Sequence, residues 1–430
     1  MWSGLRWYRL DRRCESMSTK QSCHANPMNT KLSTLGSSDH LYISADEAAE
    51  MLGVSLSSLY TYVSRKSIRV HKVPGSRSSR YLRSDIEQLR GGRTAMPLGR
   101  TTSPVLAMAS ELTLVSESGS FYRGRSAVEL SEGASLEEVA SLLWGMDTSQ
   151  LKRHSATSTD VLVHIEKSMG VLSGLDRATV AMPFLEQANE RAFDLSQNGF
   201  LSSGLDILRA MLALSLRQDT LSDRPAHRQI AAATRCGSKL EDLVRRVLVL
   251  SADQAFHPAT CVVRATASTG ATPYRCIVSG LAAATGRRLP AVRVGAFARF
   301  IEEVGSSPNP ADPIKARVRA NEAIPGFGFS PFDTPDPRSI ALWTAMKLKL
   351  AGDRHFTHFD QALETTADLI GEHPDFALLA SYINLRVGVD SELHLVRLAR
   401  VVGWVAHAWE QYSTGAELRW RVNYSGVLPK

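Results

Sequence analysis

SELHLVRLARVVGWVAHAWEQY, residues 391–412, returns to an apolar residue every three or four positions. That is the period of a helix with one buried face. LEDLVRRVLVLSADQAF (240–256) and FARFIEEV (297–304) carry the same period. Strand-like alternation is scarce over the same region, so the body of the chain reads as all-α. No segment recurs at a fixed spacing, which argues against a solenoid.

The 430 residues are 43% hydrophobic and 22% charged, enough for a sizeable core and two or three domains. No run of 18 apolar residues occurs, so no membrane span is expected. The first forty residues hold arginines and serines without a continuous apolar stretch. They read as a disordered leader, not a secretory signal, with Met17 and Met28 as candidate starts. Cys14, Cys23, Cys236, Cys261 and Cys276 are scattered, and no two have C-x-x-C spacing. This set fits a reducing cytoplasm and argues against a disulfide framework or a metal site.

Charge is unevenly placed. Residues 1–110 hold 16 Lys and Arg against 8 Asp and Glu, and the remainder holds 34 against 35. A basic N-terminal module for a polyanion on a near-neutral body is the implied organisation. Within it, Ser44 and Glu47 have capping-box spacing ahead of Ala48, Ala49, Met51 and Leu52, and Gly53 suits the end of that helix. Ser55 can cap a second helix, on which Leu59, Tyr62 and Val63 share a face. Ile68–Val73 and Ser79–Leu82 then flank a Pro-Gly turn, the pattern of a β-hairpin wing. The order helix, turn, helix, wing resembles winged helix-turn-helix domains of the MerR and excisionase type. It places Ser57, Ser58 and Thr61 for a major groove, and Arg65, Lys66, Arg77 and Arg80 for phosphates. A solvated basic surface on a small helical cap is the alternative. Residues 91–105, rich in Gly, Pro, Ser and Thr, read as a linker.

The body resembles the citrate synthase family in several colinear blocks. Tyr122-Arg123-Gly124 precedes a helix ending Leu142-Leu143-Trp144, with Ser135 as its cap. LSADQAFHPATCVVRATASTGATPYRCIVSGLAAATG (250–286), AIPGFGFSPFDTPDPRS (323–339) and HPDFALLA (373–380) follow in order. RLARVVGWVAHAWEQ and LRWRVNYSG complete the set. The resemblance implies citrate synthase-like large and small helical domains behind the winged helix-turn-helix domain. It divides the chain into a leader (1–40), the winged domain (41–90), a linker (91–110), a large domain (111–286 with 385–430) and a small domain (287–384).

By the same resemblance, the chemistry is condensation of acetyl-CoA or another acyl-CoA with oxaloacetate or a related 2-oxo acid. That step needs a base for the methyl proton and donors for the enolate oxygen and the ketone. Asp375 stands at the base position, although a Pro-Asp step before apolar residues also suits a helix start. The two catalytic histidine positions fall on Leu289 and Phe329, whose side chains donate nothing. Gln254 stands where the family has its oxaloacetate-binding histidine, and His257 where it has an asparagine. Arg338, Arg400 and Arg419 or Arg421 match carboxylate-binding positions, for which the guanidinium fork is suited. No tightly bound cofactor is implied; acyl-CoA would be substrate or ligand. The family's dimers, with sites completed across the interface, imply a homodimer or a heterodimer with an intact paralogue. Three functions remain open: a condensing enzyme, a DNA-binding regulator that senses a carboxylate or acyl-CoA, and a non-catalytic partner subunit.

Overall fold

The computed structural model describes residues 42–64, 70–72, 79–82, 86, 109–150, 156–169, 171–255, 257–286, 294–328, 335–389, 394–415 and 418. Arg65, Lys66, Arg77, Leu289, Phe329, Arg419 and Arg421 lie outside these residues, as do the leader and most of the linker.

The N-terminal module follows its local signals. The Ser44 hydroxyl accepts from the Glu47 amide (3.2 Å), and Glu47 Oε2 accepts from the Ser44 amide (2.8 Å). This reciprocal cap starts α1 (Ala45–Leu52), and Gly53 closes it. Ser55 Oγ accepts from the Ser58 amide at the start of α2 (Leu56–Ser64). β2 (Val70–Lys72) and β3 (Ser79–Leu82) pair antiparallel, as the Pro-Gly turn implies. β1 (Tyr42–Ile43) adds to the other edge of β3. That third strand was not foreseen, because two residues are too few to show alternation. Ile43, Ala48, Ala49, Leu52, Leu59, Tyr81 and Ile86 form a small core of their own.

The body is all-α apart from one small sheet. β4 (Thr113–Ser116), β5 (Gly119–Tyr122) and β6 (Arg125–Ser126) pair antiparallel in sequence order. The turn from β5 to β6 runs through Arg123 and Gly124, both at positive φ. Ser135 and Glu138 form a second capping box at the start of the helix Leu136–Trp144. The long C-terminal helix Leu395–Ser413 is the centre of the packing. It lies against the helices Leu136–Trp144, Gln197–Ser215, Pro258–Ala267 and Pro273–Ala283. Its residues from Leu398 to Ala408 are buried without a break, so the apolar period that marked it is the visible half of a helix buried on every side. Trp144 Nε1 donates to the Val402 carbonyl (3.0 Å), pinning one helix end to the other's middle.

The helices Val294–Ser306, Ala311–Arg319, Pro337–Lys349, Arg354–Ile370 and Phe376–Val387 pack on one another. Two of them, Pro337–Lys349 and Phe376–Val387, also touch the helix Ser238–Leu250. One continuous apolar cluster joins all of these elements.

Candidate active site

Arg400 lies in the second turn of the C-terminal helix and is 6% exposed. Its Nη2 donates to Gln254 Oε1 at 3.2 Å, while its Nη1 is buried with no hydrogen-bond partner. Burial pushes the guanidinium down to about 10, against the opposing pull of Asp253 and Tyr122 and with help from Arg338. A buried cation with an unused N–H is costly unless an anion completes it. Tyr122, fully buried at the end of β5, accepts from the Asp253 amide (3.4 Å) and donates to the Val249 carbonyl (3.1 Å). That fastens the small sheet to the turn that carries Gln254.

Asp375 is half-buried and begins the helix Phe376–Val387, yet its side chain makes no capping hydrogen bond to that helix. The helix therefore does start at this Pro-Asp step, without using the carboxylate as its cap. Its amide donates to the Gly326 carbonyl (2.7 Å), and Phe327 bridges Pro374, so the loop Ile324–Gly328 lies alongside the Asp375 segment. Gly326 has φ 84°, and a methyl there would stand 2.5 Å from Leu378 Cβ. Only glycine lets the loop come this close. Ser339 Oγ donates to the Pro374 carbonyl, adding a third tie.

Arg338 is buried and stacks over the Phe376 ring, 5.0 Å from its centroid. Its Nε and Nη2 are taken by Asp336 (3.1 and 2.8 Å). Burial alone would lower this guanidinium, but Asp336 raises it above its ordinary value. The sequence placed Arg338 among carboxylate ligands; in the structure its charge already has a carboxylate two residues away.

Beneath Gln254 lies a layer that sequence reading missed. Asp253, fully buried, accepts from His407 Nε2 at 2.9 Å. Arg264 donates to Glu410 Oε2 (2.5 Å), to Gln411 Oε1 and to the Ala109 carbonyl, and its Nη1 is 3.3 Å from His407 Nδ1. Two charges of each sign thus alternate in this layer. Burial would lower the His407 imidazole, yet Asp253 and Glu410 push it up to about 9. His407 and Glu410 lie within the quoted helix blocks, but nothing local shows that their partners are Asp253 and Arg264.

The structure brings together Arg400, Gln254 and Tyr122, and it places Arg338 beside Phe376, next to Asp375. Tyr122, Asp253, Asp336 and His407 join them, all within quoted motifs but none singled out there for a role in the site. Among the described residues, no group of three His, Cys, Asp or Glu side chains is placed to hold a metal. None of the helices described is long and apolar enough to cross a membrane. In the N-terminal module Ser57 is exposed and Ser58 half-buried, with both hydroxyls within 3.0 Å of Ser55 Oγ. Thr61 lies within α2, and Arg80, half-buried, lies on β3.

A family model described as citrate synthase, C-terminal domain, matches residues 101–421, and one described as helix-turn-helix domain matches residues 42–93. Over 367 residues the chain is 24% identical to the citrate synthase of Haloferax volcanii, covering 76% of this chain and 96% of that protein. It is also 24% identical, over 339 residues, to 2-methylcitrate synthase 1 of Corynebacterium glutamicum, covering 71% of this chain and 89% of that one. Among solved structures, the citrate synthase of Thermoplasma acidophilum in ternary complex with carboxymethyl coenzyme A and oxaloacetate aligns with a TM-score of 0.60 at 18% identity. That alignment covers 76% of this chain and 96% of the other. The Pyrobaculum aerophilum citrate synthase aligns with a TM-score of 0.61 at 16% identity, covering 84% and 96%. At these identities the structural likeness establishes the fold.

Proposed function

Because the chain belongs to the citrate synthase family, we propose that its body binds a carboxylate of the oxaloacetate class at Arg400 and Gln254 and condenses it with acyl-CoA only slowly. The observation that carries this reading is the unpaired Nη1 of a buried Arg400, beside a Gln254 that already occupies Nη2. A ligand carboxylate supplies the missing acceptor, and charge-assisted pairs of this kind are the strong ones. Asp375 would remain the base.

The slow chemistry follows from Leu289 and Phe329 at the positions where the family's two imidazoles donate. Losing one donor to a developing oxyanion costs about 10²–10³ in rate. Such losses within one site do not add, so a deficit of about 10³ or more is expected. Calorimetric titration with oxaloacetate, followed by CoA release from acetyl-CoA and propionyl-CoA, tests the reading. Binding without appreciable release is the expected result. Rapid release that Asp375→Asn abolishes would show instead a fully working enzyme. Arg400→Met should weaken oxaloacetate binding about a hundredfold, from the loss of a charged hydrogen-bonding partner; an unchanged affinity would remove Arg400 from the pocket.

The helix-turn-helix module supports a second role, DNA binding regulated by the ligand of the body. Its first helix opens on a capping box and closes on Gly53 ahead of a second helix, and the basic excess of the chain lies in the first 110 residues. Regulation demands that ligand affinity differ between two states of the protein. We expect the affinity for duplex DNA to fall with salt, with a log–log slope of about −0.9 per phosphate contact. A slope near zero, or an affinity indifferent to oxaloacetate and acyl-CoA, would leave the module without this role. Dimerisation with a second copy or with a paralogue belongs to the same proposal, with Arg419 or Arg421 as a further carboxylate-binding residue.

A further inference from the structure

The turn that carries Gln254 carries a second side chain that the family reading leaves without a task. The His257 amide donates to the Gln254 carbonyl (3.0 Å), and Thr260 Oγ1 donates to the same oxygen (3.2 Å). These bonds set the two side chains on one tight turn ahead of the helix Pro258–Ala267. His257 caps that helix through its ring: Nδ1 accepts from the Ala259 amide at 3.2 Å. An imidazole whose Nδ1 accepts must carry its proton, when neutral, on Nε2. Burial and the charges of Arg400 and Arg397 hold the ring down to about 4, with Asp253 opposing, so it is neutral near pH 7. The cap therefore fixes both the tautomer and the placement of a neutral N–H donor within electrostatic reach of Arg400.

We propose that His257 is a binding residue of this pocket, its Nε2–H donating to an oxygen of the carboxylate ligand held by Arg400, beside the amide of Gln254. The inference rests on the carboxylate-binding reading of Arg400 given above. It assigns the pocket a neutral imidazole donor on the Gln254 turn. It also explains the choice of a cap that uses Nδ1 and leaves Nε2 as a donor, where Asn or Asp would cap equally well.

The test is calorimetric titration of the full chain with oxaloacetate in the wild type, His257→Asn, His257→Asp and Arg400→Met. Each is paired with a thermal unfolding curve, and the wild type with ¹⁵N-histidine NMR. Asn and Asp both retain a capping oxygen, so unfolding should move little. His257→Asn should weaken oxaloacetate about tenfold or more, the range of one hydrogen bond to a charged group. His257→Asp should weaken it further, by repulsion. The wild-type His257 resonances should report the Nε2–H tautomer and shift on saturation with oxaloacetate. An affinity unchanged in His257→Asn, with Arg400→Met defective, would overturn the role of His257 and leave the pocket standing. A wild type that binds no oxaloacetate would overturn both.

Discussion

Gly403→Ala is expected to destabilise the protein by about 3 kcal/mol, the upper range for forcing a methyl into a filled core. A Cβ at this position would stand 2.2 Å from Asp253 Oδ1 and 2.7 Å from the Ala252 carbonyl oxygen. One obstacle is backbone, and the other is a fully buried carboxylate held through its second oxygen. The carbonyl accepts the Gly403 amide at 3.0 Å, and the carboxylate accepts from His407. The helix Leu395–Ser413 must therefore back away from the Ala252–Asp253 turn, and Gln254, next in the chain, moves away from Arg400. Loss of oxaloacetate binding should accompany loss of stability. Urea unfolding at pH 7 measures the first effect and calorimetry the second. Gly133→Ala is the control, because a Cβ there meets nothing within 4 Å. A Gly403→Ala variant within 1 kcal/mol of the wild type would show that the close approach is not needed.

What could be read from the chain and what could not divides by distance along the sequence. Both capping boxes, Ser44 with Glu47 and Ser135 with Glu138, need only three residues of context, and both form as expected. The helix Leu395–Ser413 was legible because its apolar period repeats over five turns. The positions of Arg400 and Asp375 came from motif context; the structure adds that Arg400 donates to Gln254 and that the Asp375 carboxylate does not cap its own helix. The Asp253–His407 pair, 154 residues apart, has no such signature. Each partner alone reads as an ordinary polar residue near an apolar run. Asp336 is the opposite case: only two residues from Arg338, it was read as part of a motif and not as that guanidinium's own counter-ion. Sequence patterns report which face of an element is buried; they do not report which polar groups meet once it is buried.

The buried Asp253–His407 pair makes stability depend on pH in a definite direction. His407 rises from an ordinary 6.5 to about 9 on folding, because Asp253 and Glu410 outweigh the burial that would lower it. A raised pKa contributes stability that is complete below 6.5 and lost as pH climbs through 9. The shift corresponds to about 3 kcal/mol. Asp253 is lowered, since His407 and Arg400 outweigh its burial, and Glu410 falls to about 2 against its own desolvation. Their contributions are complete above the ordinary carboxylate range and lost as pH falls below it, through their lowered folded-state values. For these groups the stability maximum therefore lies at about pH 5–6.5. Urea unfolding should show the free energy falling between pH 6.5 and 9.5. His407→Gln should cost about 3–5 kcal/mol at pH 6, the penalty for stranding a buried carboxylate, and should flatten the alkaline limb. If the variant keeps the wild-type slope above pH 6.5, another group carries it. If the cost at pH 6 is small, Asp253 has become neutral in the variant and no longer offsets the charge of Arg400. The two variants on this helix then separate the causes: Gly403→Ala displaces the Asp253 carboxylate while keeping its partner, and His407→Gln removes the partner while keeping the backbone contact.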